Sequence, residues 1–312
     1  MTLDGKPAIR KAVIPVAGYG TRMLPVTKVL PKEMMPICNK PVIHYAIEEA
    51  VEMGAEEVIL VTRMHKSLLE EYFAPAPELE DFLQEHGRER ELELIRSLSS
   101  LVRISTVQQP SPRGLGDALR FARPAVGNEP FAVILPDAVI DARRPALTQL
   151  MDVYRHYPYT VIATQVVSPA DTSKFGMLKL TPSADTAFPH LFRVLSLTEK
   201  PPSGATSSSY GIFGRYLLHP EIFDYLDSCP EDCNGEVQLT EALNQYCRDE
   251  PVYALCFEGS HYDAGNKVGY LQLVLHFASK DPELARVLEL QRAIGDANRS
   301  ITVMNQGQDK AS

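Results

Sequence analysis

Several large classes of protein leave marks that this 312-residue sequence lacks. Its five cysteines (Cys38, Cys229, Cys233, Cys247 and Cys256) are odd in number and include no C-x-x-C pair. Cys229 and Cys233 have no histidine pair nearby to complete a zinc site. Reduced, structural thiols are therefore expected rather than a disulfide framework or a metal cluster. No N-terminal stretch has the apolar core of a signal peptide, and no run of about 18 apolar residues is available to span a bilayer. Positive charge is not in excess: 31 Lys and Arg against 40 Asp and Glu leave a net charge of −9, which argues against a large nucleic-acid footprint. Nor does an internal repeat or low-complexity linker divide the chain. These gaps predict a cytoplasmic, soluble protein with neither a nucleic-acid nor a membrane partner.

What remains is an ordinary globular composition, 45% hydrophobic and 23% charged. A chain of this length buries about three-quarters of its unfolded surface and needs no staples. An anionic substrate would be held by local positive groups, because the overall field is negative. The stretch around which the sequence is organised supplies such groups. A short apolar run, Ala12 to Val16, reads as a buried strand and feeds into Ala17-Gly18-Tyr19-Gly20-Thr21-Arg22. Gly18 and Gly20 permit backbone torsions closed to other residues and let a ligand approach bare N–H groups, which in series favour anions. Arg22 adds a planar fork for phosphate oxygens and Lys32 a compact point charge. A plain strand-to-helix turn would account for the two glycines alone, but not for the basic residues that follow. The pattern is neither a dinucleotide fingerprint, since Met23 stands where a third glycine belongs, nor a Walker loop.

Strand and helix patterns alternate down the chain: a helix from Val42 closed by Gly54, a strand at Val58–Val61, and an amphipathic helical stretch from Glu78 to Leu101 interrupted near Gly87. A strand at Val102–Val107, a helix through Ala125, a strand at Phe131–Leu135, a helix from Leu147 to Tyr154 and a strand at Thr160–Val167 follow. This order predicts an α/β fold with parallel strands and right-handed crossovers. Beyond Lys174 come shorter strands, a loop rich in Pro, Gly and Ser at residues 201–209, further helices, and a polar tail past Asn298. His44, alone within its helical pattern, reads as a packed or hydrogen-bonded side chain. Ligands of open α/β sheets sit at the carboxyl ends of the strands. Three groups fall there: residues 17–22, Gln109 to Gly116, and Asp137. Gln109 carries an amide that can both donate and accept, and Asp137, following Pro136, is placed to hold a hard cation.

The run G-x-G-T-R-M-x-P (Gly18 to Pro25) followed by P-K-E-M-x-P (Pro31 to Pro36) resembles the signature of sugar-1-phosphate nucleotidylyltransferases, most closely the bacterial UTP–glucose-1-phosphate uridylyltransferases, or UDP-glucose pyrophosphorylases. The resemblance spans about residues 11–280 and implies a Rossmann-like nucleotidyltransferase fold. That fold has a central mixed, mostly parallel sheet flanked by helices and a smaller sugar-binding subregion. On this reading residues 11–168 form the nucleotide half, 169–280 the sugar half, and 281–312 a helical segment and polar tail. The implied reaction joins UTP and glucose 1-phosphate into UDP-glucose with release of pyrophosphate, using Mg²⁺, in a homo-oligomer (dimer or tetramer).

By the same resemblance Arg22 and Lys32 neutralise the triphosphate and Lys200 holds the sugar phosphate. Ala17, Gly18, Gly20, Gln109 and Gly114 contact the nucleotide. Gly176, Glu199 and Glu236 serve the sugar, with Gln238 supporting them. Asp137 and Asp263, the latter in a D-x-G-N-K run (Asp263 to Lys267), hold the metal. Several positions depart from the family pattern: Pro110 where Gly is usual, Arg113 for Lys, Asp117 for His, Ala264 for Cys, and Tyr210-Gly211 in place of a typical Asn-Leu-Ala run. They bear on base and sugar choice and leave the charged set intact. The same fold acting on dTTP or another hexose phosphate, and a non-catalytic regulatory paralogue, are the alternatives.

Overall fold

The apolar run after Arg10 forms strand β1 (Lys11–Pro15), which lies within a nine-stranded sheet. Strands β2 (Glu57–Thr62), β3 (Arg103–Gln108) and β4 (Phe131–Ile134) join it in the parallel order β3-β2-β1-β4. The sheet continues with β5 (Thr160–Val166), β6 (Met177–Pro182), β7 (Leu191–Thr198), β8 (Tyr210–Leu218) and β9 (Val252–Cys256). Its complete order is β3-β2-β1-β4-β8-β5-β9-β7-β6. Only β8 and β7 run against the other strands, so the sheet is mixed and mostly parallel, as the sequence predicts. The computed structural model describes residues 8–63, 67–183, 187–291 and Ile294. Most of the polar N-terminal stretch and the tail past Asn298 lie outside the described residues.

Alternation along β1 shows why the sheet is covered on both faces. Ala12 and Ile14 point into one apolar cluster and Val13 into the other, all three fully buried. Helices α1 (Val42–Met53), α2 (Ser67–Phe73), α3 (Pro77–Glu85) and α4 (Glu89–Ser100) precede α5 (Gly114–Val126) and α6 (Ala146–His156). The chain ends its regular elements with α7 (Ile222–Ser228), α8 (Leu239–Asp249) and α9 (Lys267–Lys280), after which residues 282–291 are helical. The first cluster is filled by α1 and α6, the second by α5, α7 and α8. Gly54 ends α1 with φ 105°, its N–H donating to the carbonyls of Ala50 and Val51. Gly87, at φ 66°, makes the break between α3 and α4 that the sequence pattern marks.

A buried ion pair ties these layers to the strand ends. Arg215 on β8 donates from Nε and Nη2 to Glu49 Oε2 on α1 at 2.9 and 2.8 Å, and from Nη1 to the Leu135 carbonyl at 3.0 Å. Glu49 Oε1 accepts from the Leu147 N–H, so both charges are satisfied where water does not reach. His44 is likewise enclosed, with Nδ1 2.9 Å from the Tyr72 hydroxyl and Nε2 3.0 Å from Glu48. The sequence reading of that histidine holds. All five cysteines are free. Among the described residues no helix is long and apolar enough to cross a membrane.

Candidate active site

Strands β1, β2, β3 and β4 all point their carboxyl ends at one crevice, where the chain order reverses between β1 and β4. After β1, Ala17 stays buried while Gly18 and Tyr19 are exposed. Of the two glycines only Gly20 adopts a left-handed φ, 65°, and its carbonyl accepts from Thr27 Oγ1 at 2.8 Å. Three short 3₁₀ turns (Thr21–Met23, Val26–Lys28 and Lys32–Met34) then fold the segment back on itself. This return brings Lys32 alongside the backbone of Gly18, whose added Cβ would lie 4.0 Å from Lys32 Cε.

On the other side of the crevice, Leu135 after β4 is pinned by Arg215 and by its own N–H donating to the Gly214 carbonyl at 2.8 Å. That anchor fixes where Asp137 emerges. The next residues, Ala138–Asp141, form a two-stranded antiparallel ribbon with Ser260–Asp263, and Asp263 lies opposite Ala138. The Ala264 N–H donates to the Asp137 carbonyl at 2.8 Å. Two aspartates far apart in sequence are thus neighbours.

The charged groups converge on this ribbon. Lys32 Nζ is 2.5 Å from Asp137 Oδ2, Arg22 Nη2 is 4.0 Å from the same oxygen, and Arg22 Nη1 is 3.7 Å from Asp263 Oδ2. Asp263 also accepts from the Gly265 N–H at 2.8 Å and from Asn266 Nδ2 at 2.7 Å. Burial alone would raise the Asp137 carboxyl. The charge and hydrogen bond of Lys32, helped by Arg22, outweigh it and hold Asp137 below the usual carboxylate range. Lys32 moves the opposite way: burial would lower it, but Asp137 and Glu33 raise it, so both partners stay ionised. A Cβ added to Gly265 would lie 2.9 Å from Asp137 Oδ2 and 3.0 Å from Asp263 Oδ1. The two carboxylates therefore face one small space, which a side chain at position 265 would fill. Two carboxylates around one such space suit a hard divalent cation, which takes one or two protein oxygens and completes its shell with phosphate and water.

A second cavity, of about 220 Å³, is lined by Phe175, Gly176, Glu199, Lys200, Glu236 and Thr240 among others. Thr240 Oγ1 donates to Glu199 Oε2 at 2.6 Å, and Lys200 Nζ lies 3.1 Å from Glu199 Oε1. Gln238 Nε2 bridges Glu236 and Asp232, at 3.0 Å from each. A Cβ on Gly176 would come within 3.2 Å of both Glu199 Oε2 and Thr240 Oγ1, so the glycine keeps this floor open. The fold thus gathers Gly176, Glu199, Lys200 and Glu236 into one polar pocket. A larger cavity of about 650 Å³, lined by Arg144, Phe188, His190 and Cys256, shares no residue with either group. Chemistry rather than size marks the site.

Gln109 and Gly114 are arranged differently from the simplest expectation. The Gln109 side chain is buried and donates from Nε2 to Asp117 Oδ2 at 2.6 Å. Gly114, at φ 90°, faces Val237, whose carbonyl would lie 2.6 Å from an added Cβ; Gly116 meets the same carbonyl at 2.8 Å. These glycines let the start of α5 dock on the 235–240 segment, with Gly116 N–H donating to the Val237 carbonyl and Val237 N–H to that of Arg113. The approach they permit is between two pieces of backbone. Sequence reasoning also missed Arg63, which follows β2 and stacks its guanidinium 3.9 Å from the Tyr19 ring centre, and Thr240 in the second cavity. Arg63 stood at a second strand end, the same signal that picked out Gln109 and Asp137.

The chain is similar to known proteins over most of its length. The nucleotidyl transferase family matches residues 11–280. A UTP–glucose-1-phosphate uridylyltransferase of Staphylococcus epidermidis is 43% identical over 281 residues, covering 90% of this chain and 96% of that protein. A UDP-glucose pyrophosphorylase solved in complex with UDP-glucose superposes with a TM-score of 0.80 at 34% identity, covering 88% of this chain and 100% of the other. A UTP-bound enzyme of the same kind from Acinetobacter baumannii gives 0.80 and 34%, over 92% and 98% of the two chains.

Proposed function

Because the chain belongs to the nucleotidyl transferase family, we propose that it transfers the uridylyl group of UTP to α-D-glucose 1-phosphate, yielding UDP-glucose and pyrophosphate. The observation that carries this reading is the convergence of Arg22, Lys32, Asp137 and Asp263 at the head of β1 and β4. The polar pocket around Glu199 and Lys200 supports it. In this account residues 11–280 work as one catalytic unit, with the nucleotide over the first half of the sheet and the sugar over the second.

The reaction forms a bond from a sugar-phosphate oxygen to the α-phosphorus and breaks the α–β bridge, so pyrophosphate leaves with the electron pair. The attacking phosphate carries its second negative charge at neutral pH, its pKa being about 6, and needs no general base. Positioning and charge neutralisation must therefore supply the acceleration. Lys200 aligns the sugar phosphate, while Glu199, steadied by Thr240, accepts from sugar hydroxyls together with Glu236. Arg22 and Lys32 are released from the aspartates by the incoming polyphosphate and hold its β and γ groups as they depart. Asp137 and Asp263 would hold Mg²⁺, which when bound supplies charge neutralisation at the α-phosphate.

Five free thiols suit a reducing, cytoplasmic setting. Val268, Leu271 and Leu275 on α9 leave an apolar stripe exposed, which supports assembly with further copies of the chain. The test is a panel of UTP, dTTP, CTP and ATP against glucose 1-phosphate and other hexose phosphates, read by pyrophosphate release and product mass. Release confined to UTP with glucose 1-phosphate supports the proposal. Release with another pair, or none, overturns it.

A further inference from the structure

The ribbon that brings Asp137 and Asp263 together is anchored at its opposite end by a separate set of side chains. It has four residue pairs, with Ala138 opposite Asp263 at one end and Asp141 opposite Ser260 at the other. A two-stranded ribbon this short is marginal by itself. Helix α9 lies along it, with Leu273 buried beside Val139 and Ala264, and Tyr262 and Phe277 packed against them. At the start of α9, Asn266 accepts the Gly269 N–H at 2.9 Å and donates from Nδ2 to Asp263. Near its end, His276 Nε2 lies 2.7 Å from Asp141 Oδ2, and Lys280 donates to the same oxygen. The His276 ring also stacks on Tyr262, with centroids 4.8 Å apart. Positions 273, 276, 277 and 280 share one helix face, so a single element grips both ends of the ribbon. Burial would raise the Asp141 carboxyl, but hydrogen bonds and charge from Lys280 and His276 hold it below the usual carboxylate range. Without them, a carboxylate at the C-terminal end of α9 would be repelled by the helix dipole.

We propose that Asp141, gripped by His276 and Lys280, is a positioning residue that fixes the ribbon and so keeps Asp137 and Asp263 at the spacing a divalent cation needs. This role presupposes that the space between the two aspartates is a cation site. Before polyphosphate arrives, Lys32 and Arg22 screen the aspartates from each other. Once those cations turn to the polyphosphate, two like charges face one another until the metal is seated. Their repulsion would spread the strands, and four residue pairs offer little resistance. His276 holds both strands at once, through Asp141 on one and Tyr262 on the other, and opposes that spreading.

The test compares wild type with D141N, H276F/K280M and K280R in Mn²⁺ binding, read from the free-ion EPR signal with UDP-glucose present. Phenylalanine at 276 keeps a ring on Tyr262 while removing the bond to Asp141. Mn²⁺ affinity is expected to fall by about ten- to a hundredfold in D141N and in H276F/K280M, the usual loss for groups that orient metal ligands. Combining all three substitutions should cost no more than either variant alone. K280R keeps the ion pair and should bind near wild type. In kinetics the Mg²⁺ concentration for half-activation should rise in proportion, with kcat recovered at saturating metal. Lys280 is half-exposed, so urea midpoints should shift little; if D141N fails to fold, H276F/K280M carries the test. Unchanged Mn²⁺ affinity in the variants that lose the grip, or a loss in K280R as large as theirs, overturns the proposal. A wild type that binds no Mn²⁺ overturns the cation site and the grip together. If wild type binds Mn²⁺ and the variants weaken it, yet no pyrophosphate is released, the reaction assigned above fails while the grip stands.

Discussion

Neutralising Asp137 should cost both catalysis and stability, and the size of each follows from its surroundings. In D137N the Lys32 ammonium loses a partner 2.5 Å away while its side chain remains only 18% exposed. Removing one member of a fully buried pair costs about 3–5 kcal/mol, and of an exposed pair less than about 1. With both side chains partly buried, D137N should lose about 2 kcal/mol in urea unfolding. K32M should lose less, because Arg22 still faces Asp137 at 4.0 Å. In the double variant no unpaired charge is left facing an empty place, so the two losses should not add; a positive coupling of about 1 kcal/mol is expected. Pyrophosphate release by D137N should fall by about 10²–10³, the usual loss for one charge-stabilising group at a transition state. Independent, additive stability losses, or near wild-type turnover in D137N, would refute the reasoning.

Three further outcomes follow from the same geometry. K200A should cut turnover by orders of magnitude while leaving UTP binding and the unfolding midpoint unchanged, since Lys200 is exposed and its ion pair is with Glu199; loss of UTP binding would contradict its assignment to the sugar phosphate. E49A, which strands the buried Arg215, should destabilise by about 3–5 kcal/mol, and E49L/R215M should recover much of that in the same denaturant assay. The folded-state pKa of Asp137 is depressed, so its stabilising contribution is present above the ordinary Asp value of about 3.9 and is lost as pH falls through the lower folded value. Urea midpoints should therefore drop in acid more steeply for wild type than for K32M.

Much of this organisation was legible in the residues because local rules and the global fold agree. The run from Ala12 to Val16, the closure of α1 at Gly54 and the break at Gly87 each follow from patterns that a single segment contains. Pairing Asp137 with Asp263 was not such a matter. It depends on the ribbon between Ala138–Asp141 and Ser260–Asp263, two four-residue strands whose association is set by register across distant segments. Only the resemblance to known enzymes joined them in advance. The role of Gly114 and Gly116 was obscure for a related reason, since the Val237 carbonyl that excludes a side chain comes from a remote part of the chain. The Gln109–Asp117 bond lies eight residues apart across a strand-to-helix turn, and only burial reveals that the two side chains meet. Arg63 stood at a strand end, but its stacking on Tyr19 joins two separate segments and shows only in the fold.

The most direct test is an anomalous-scattering map from crystals grown with UTP and Mn²⁺ in place of Mg²⁺. A manganese peak in contact with carboxylate oxygens of both Asp137 and Asp263, beside the nucleotide phosphates, is the predicted result. A peak that touches neither aspartate, with UTP bound, would contradict the account.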